Sequence, residues 1–165
     1  MELESAEVRR CICRLKEKDF DLAYLAGLTV AGIKPLSRWE KPVEREEMNL
    51  LEGAGLKCGQ IKRTVQAGSG VVETIFGVSE GYLKLYASAF ADKQVDKSPQ
   101  TQMLEGYLFG YPPCCVRAFV RNPYESNGLG REDQEILFHW ACPDCRITPL
   151  LLEQYRGVHE FVLAL

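Results

Sequence analysis

Leu56-Lys57-Cys58-Gly59-Gln60-Ile61-Lys62-Arg63-Thr64-Val65, the break Gln66-Ala67-Gly68-Ser69-Gly70, and Val71-Val72-Glu73-Thr74-Ile75-Phe76-Gly77-Val78 together decide the fold class. Both arms are rich in β-branched and apolar residues, and a glycine-rich turn composition separates them, so the stretch predicts a β-hairpin. The rest of the chain reads mostly as helix. Upstream, Val8, Cys11, Ile12 and Leu15 recur at helical spacing, and Leu22, Leu25, Ala26 and Leu28 continue an apolar face. The run from Leu22 to Ile33 is short, interrupted by glycines and stopped by Pro35, which reads as a buried helix and not a membrane span. Arg45 to Glu52 is a further short helix, closed by Gly53 and Gly55.

Downstream, Ser79 is placed to cap a helix through Tyr82, Leu85, Tyr86 and Phe90, and Asp92 to Ser98 is a polar break. Ser98-Pro99 opens a helix carrying Met103, Leu104, Tyr107 and Leu108, which Gly110 ends. Tyr111-Pro112-Pro113 sets an extended approach to a helix over Cys114 to Val120, stopped by Asn122-Pro123. Asn127 to Gly130 is a loop, Arg131 to Trp140 leans towards helix, and Thr148-Pro149 starts a terminal helix with Leu151, Leu152 and Tyr155. The expected class is α+β: one predominantly helical domain over 1–165 with a small antiparallel sheet. Its parts are helical to about residue 52, a hairpin region over about 55–79 and a cysteine-rich helical region over about 98–165.

Bulk composition bounds the function. With 165 residues, 46% hydrophobic and 26% charged, the chain can bury a core without cross-links. A net charge of −3 and a pI of about 5.5 give no general attraction to nucleic acid or anionic membranes. The basic group Arg9, Arg10, Arg14, Lys16 and Lys18 reads as a solvated helix face. Neither a nucleic-acid partner nor a membrane is expected; a protein partner stays open. The acidic start Met-Glu-Leu-Glu-Ser lacks the apolar core of a signal peptide, so the expected compartment is the cytoplasm. There the seven cysteines serve as thiols or metal ligands, with disulfides the exception found in hyperthermophiles.

Four of those thiols and a histidine crowd the last third: Cys114-Cys115, His139, and Cys142-Pro143-Asp144-Cys145. Cys-Pro-Asp-Cys suits a four-residue turn, with proline pre-set at the second position and aspartate tolerated at the third. Such a turn puts two sulfurs on one side, ready for a tetrahedral metal. Adjacent side chains diverge, so Cys114 and Cys115 need not share one ion. If Pro112 or Pro113 opens a helix, both thiols lie in its first turn, where the helix dipole favours thiolate. His139 is a substitute ligand or a contact behind the ligands. Arg117, Arg121, Arg131 and Arg146 read as surface residues before anion holders. Cys11, Cys13 and Cys58 read as packed thiols.

Other chemistries have little support. Gly53-Ala-Gly55-Leu-Lys-Cys-Gly59 has one residue too many for a dinucleotide fingerprint and precedes a strand. Gly68-Ser69-Gly70 lacks the lysine of a phosphate loop, and Cys114 with His139 has no third, orienting residue. A thioredoxin-like fold places its redox turn early, whereas only a short stretch follows Cys145 here.

The run Gly106-Tyr107-Leu108-Phe109-Gly110-Tyr111-Pro112-Pro113-Cys114-Cys115-Val116-Arg117-Ala118-Phe119, with His139, Cys142 and Cys145 downstream, resembles a largely archaeal family catalogued as a domain of unknown function. The resemblance centres on residues 106 to 152. It implies that these cysteines travel together, and it brings no activity or substrate. Three readings follow. The first is a cytosolic metal-binding protein with zinc on Cys114, Cys115, Cys142, Cys145 or His139. The second is a thiol-dependent enzyme or an iron–sulfur cluster protein. The third is a metal-free structural or interaction protein with buried thiols or disulfides.

Overall fold

Asp19 splits the N-terminal helical region. A computed structural model describes residues 3–65 and 68–165; the Gln66-Ala67 part of the expected turn lies outside the described residues. Helix α1 (Ala6–Lys18) starts on Ser5, whose hydroxyl accepts from the Val8 amide at 3.2 Å. It ends at Asp19, in extended conformation, whose carboxylate accepts from the Asp21 and Leu22 amides and so starts α2 (Phe20–Val30). Every residue of α2 from Leu22 to Val30 is buried, so this helix forms the centre of the main core. At Gly27 an added Cβ would lie 3.0 Å from Val158, a measure of how closely the C-terminal helix approaches.

Pro35 ends the helical region, and the chain continues as a short strand that the sequence reading did not anticipate, β1 (Leu36–Trp39). Helix α3 (Arg45–Gly53) and the expected hairpin follow, with β2 (Lys57–Thr64) and β3 (Gly70–Gly77) paired from Lys57↔Gly77 to Thr64↔Gly70. β1 lies antiparallel on the other side of β3, giving the order β1-β3-β2. Alternation sends Phe76 towards α1, α2 and α3 and Ile75 to the opposite face, where α4 (Glu80–Phe90) packs. Ser79 occupies the cap position of α4 but its hydroxyl makes no capping bond.

The second face of the sheet holds a buried charge cluster. Arg38, Arg63 and Glu73 come from the three strands, Tyr86 from α4 and Glu105 from α5 (Pro99–Leu108). One oxygen of Glu105 accepts from Arg38 at 2.8 Å and from Arg63 at 3.1 Å. The Tyr86 hydroxyl donates to Glu73 at 3.0 Å. Arg63 is 2% exposed and Glu73 6%, so removing one partner would leave a buried charge unmatched. The cluster fastens α5 to the sheet.

From α5 the chain reaches the cysteines by two close approaches. An added Cβ at Gly106 would lie 2.5 Å from the Val116 side chain, so only glycine lets α6 (Pro113–Arg121) pack there. Gly110 turns with φ +74° against Pro35. Beyond α6 the structure corrects the reading of Arg131 to Trp140: α7 spans only Arg131–Glu135, and the chain then runs irregularly to α8 (Thr148–Ala164). Past Glu135 the side chains leave any common face. Leu137 enters the main core, His139 turns to Thr148, and the Trp140 indole donates to the Glu125 carbonyl at 2.7 Å. The architecture is a helix-dominated α+β fold with a three-stranded antiparallel sheet.

Gly106→Ala tests the α5–α6 contact. Alanine gains helix propensity, yet the clash with Val116 outweighs it, and the variant loses about 1–3 kcal/mol in urea denaturation. Adding Val116→Ala makes room and restores part of that loss relative to Val116→Ala alone.

Candidate metal centre

Pro112 holds an extended backbone and Pro113 occupies the first turn of α6, so Cys114 and Cys115 follow at once. Cα–Cβ bonds on a helix tilt towards its N-terminus, and no earlier turn blocks them there. The two sulfurs therefore lie 4.0 Å apart although their residues are adjacent. Opposite them, Cys142-Pro143-Asp144-Cys145 forms the expected turn, closed by the Cys145 amide donating to the Cys142 carbonyl at 3.2 Å. Asp144 has φ +54°, the left-handed conformation that aspartate tolerates and β-branched residues resist.

These two pieces bring four sulfurs to one point. Cys114–Cys145 and Cys115–Cys142 are each 3.8 Å apart, Cys115–Cys145 is 3.4 Å, and all four atoms lie within 4.8 Å of one another. A tetrahedral ion with metal–sulfur bonds of about 2.3 Å has an edge of about 3.8 Å. The group can hold a metal ion. No other such cluster of His, Cys, Asp or Glu side chains is found among the described residues.

Donors already face the sulfurs. The Cys142 amide donates to Cys115 Sγ and the Thr148 amide to Cys145 Sγ, both at 3.3 Å. The Thr148 hydroxyl lies 3.3 Å from Cys145 Sγ and 3.5 Å from Cys115 Sγ. Burial opposes charge on Cys145, but the Thr148 hydroxyl, the Thr148 amide and the Ile147 amide outweigh it and bring that thiol down to about 6. Burial pushes the Cys115 thiol up to about 11 and raises Cys142 as well. One thiol is thus prepared to ionise, and a cation, if bound, would supply the charge the others need.

His139 stands outside the four-sulfur group. Its Nε2 lies 3.1 Å from Thr148 Oγ1, so it touches the thiols only through that hydroxyl. Burial, reinforced by Lys34, lowers its pKa to about 4 and keeps the ring neutral. Cys11 packs at the α1–α3 contact, Cys13 lies 3.6 Å from the Leu165 carbonyl, and Cys58 is half-buried on β2, all apart from the site. Arg117, Arg121 and Arg146 are exposed, and Arg131 pairs with Glu135 at 2.6 Å; backbone amides and Thr148 face the sulfurs instead. On α1, Arg14 and Lys18 pair with Glu46, Arg9 with Glu4, and Lys16 bonds the Leu163 carbonyl.

Sequence reasoning missed two features. Thr148 reads as a helix start in the sequence, and its position next to proline hides the use of its hydroxyl. Beside the thiols lies a cleft of about 980 Å³, with Cys115 and His139 in its wall. Behind the cleft, Lys34 is buried with its amine donating to the Phe109 carbonyl at 3.1 Å and lying 4.4 Å from the Tyr111 ring centre. Burial and the nearby Arg38 lower its pKa to about 7.

Among the described residues, no helix is long and apolar enough to cross a membrane. Comparison with protein-family models, curated proteins and solved structures finds no match.

Three variants probe this geometry. Asp144→Gly keeps the turn and its stability within about 0.5 kcal/mol, whereas Asp144→Val strains the left-handed position and costs about 1–3 kcal/mol by thermal unfolding. His139 titrates near 6.5 when unfolded and near 4 when folded. Between those values the unfolded chain binds more protons, so this residue makes stability rise with pH across the window, by on the order of 3 kcal/mol. His139→Gln flattens that part of the pH–stability curve relative to the parent protein.

Proposed function

We propose that this protein is a small cytosolic metal-binding protein in which Cys114, Cys115, Cys142 and Cys145 hold a single zinc ion in a closed, structural site. The observation that carries the reading is the set of sulfur separations, 3.4 to 4.0 Å for the close pairs, around the tetrahedral edge of a single ion. An iron–sulfur cluster interposes several atoms between its thiolates and spreads them wider. Four thiolates around a redox-inert, tetrahedral ion favour zinc. The amides and hydroxyl directed at Cys115 and Cys145 offset the excess negative charge of such a site. A reducing cytosol keeps these thiols available as ligands. On the same reading, the Gly-Tyr-Pro-Pro-Cys-Cys segment and the spaced His139, Cys142 and Cys145 mark membership of the archaeal family they resemble.

With all four positions filled by protein, the ion's role is to join the start of α6 to the chain before α8 and not to activate water.

Elemental analysis of anaerobically purified protein tests this. The parent chain carries about one zinc, and Cys142→Ser and Cys145→Ser each lose it. Cys58→Ser retains it. Chelation lowers the unfolding free energy by about 4 kcal/mol or more, the value for an ion present at about 1,000 times its Kd. Equal metal content in the Cys142 and Cys145 variants and the parent contradicts the assignment.

A further inference from the structure

The cleft beside the thiols has the composition of a small-molecule site. Its volume, about 980 Å³, lies at the upper end of ordinary ligand pockets. Tyr111, Phe119, Tyr124 and Trp140 contribute aromatic walls. Phe119 and Tyr124 meet edge to face with centroids 5.0 Å apart, and Tyr124 and Trp140 do so at 5.5 Å. The main charges in the wall are already matched: Arg38 with Glu105 at 2.8 Å and Arg131 with Glu135 at 2.6 Å. The lining therefore favours a neutral ligand with aromatic faces.

One wall residue lacks a partner. His139 is 8% exposed, and its Nδ1 is buried with no hydrogen bond. Its protonation follows from the neighbouring site. When the thiols bind a metal they lose their protons, and the single Thr148 hydroxyl proton turns towards sulfur. Nε2 of His139 must then carry the ring proton and donate to Thr148 Oγ1, which leaves Nδ1 as an acceptor. A ligand that satisfies it offers an N–H.

We propose that this cleft binds a neutral, planar heteroaromatic molecule of the nucleobase class, stacked on the face of Tyr124, meeting Trp140 edge to face, and donating a ring N–H to Nδ1 of His139. Because that atom is buried, reaching it takes a side-chain shift in the wall, of the kind that accompanies binding at many interfaces. The stacking stands on the aromatic wall alone; the choice of an N–H donor rests on the proposed metal reading. Cys115 belongs to both sites, so the ion orders one wall of the cleft.

The test titrates adenine and cytosine into the full, metal-loaded protein and follows the Trp140 indole and His139 nitrogen resonances. Benzoate and benzamidine serve as charged ring controls, and metal content is measured on the same samples. The expected result is saturable binding of a neutral base, movement of both resonances, and little binding of the charged rings. Tyr124→Asn removes a stacking ring while suiting its backbone, because Tyr124 is 69% exposed and has φ +62°, a conformation asparagine accepts. This variant weakens binding about tenfold or more. No saturable binding by either base in metal-loaded protein overturns the cleft proposal and leaves the metal reading intact. Binding unchanged in both Tyr124→Asn and His139→Gln, or charged rings binding equally well, also overturns it. Base binding by a chain that takes up no zinc when zinc is supplied supports the stacking site, while the missing zinc, and not the base binding, overturns the metal reading.

Discussion

The convergence of four sulfurs within 4.8 Å is the constraint on which the last third of the molecule depends. Residues 122–147 contain only the short α7, so ordinary helix and strand bonding fixes little of this segment. Long connections without secondary structure are usually functional or disordered. Here isolated anchors hold it: the Tyr24 hydroxyl donates to the Ile136 carbonyl at 2.9 Å, and Asn127 donates to Gln134 and to the Ala141 carbonyl. An ion shared by Cys114, Cys115, Cys142 and Cys145 would close the loop between α6 and α8 and, held only by the folded chain, would add its binding free energy to folding.

The position of those sulfurs descends from the sheet. Arg38 and Arg63 grip Glu105, which seats α5; Gly106 lets α6 lie close through Val116; Gly110 turns the chain; and the proline pair starts α6 at the thiols. Each step is short-ranged, so an error in the buried ion cluster propagates to the site. The same route builds the cleft, because Arg38, Glu105, Gly106, Val116 and Cys115 all contribute to its wall. Site and scaffold are therefore a single construction, in which the charge cluster seats α5, the Gly106–Val116 contact sets the spacing of α5 and α6, and the thiol cluster brings α6 against the Cys142–Cys145 turn.

Much of this was legible in the sequence where local chemistry dictates local structure. The hairpin followed from β-branched arms around a glycine-rich break, and Ser98 does cap α5, accepting from Thr101 at 3.2 Å. The Cys-Pro-Asp-Cys turn formed as proline and aspartate require. What was hidden depends on partners distant in sequence. β1 is short, and its Arg38 looks like a surface residue until Glu105 and Tyr86 are placed beside it. Adjacent cysteines predict divergent side chains; only a helix start beneath an opposing turn brings both sulfurs in. The roles of Thr148 and of the neutral imidazole behind it likewise need the fold, since no spacing rule pairs residue 139 with 148.

X-ray absorption spectroscopy of the metal-loaded protein tests the central claim most directly, because it reads the ligands from the ion outward. A closed four-cysteine site predicts zinc with four sulfur neighbours at about 2.3 Å and no metal–metal distance. Nitrogen or oxygen in the first coordination sphere, or an iron–iron vector, would contradict a closed four-cysteine site.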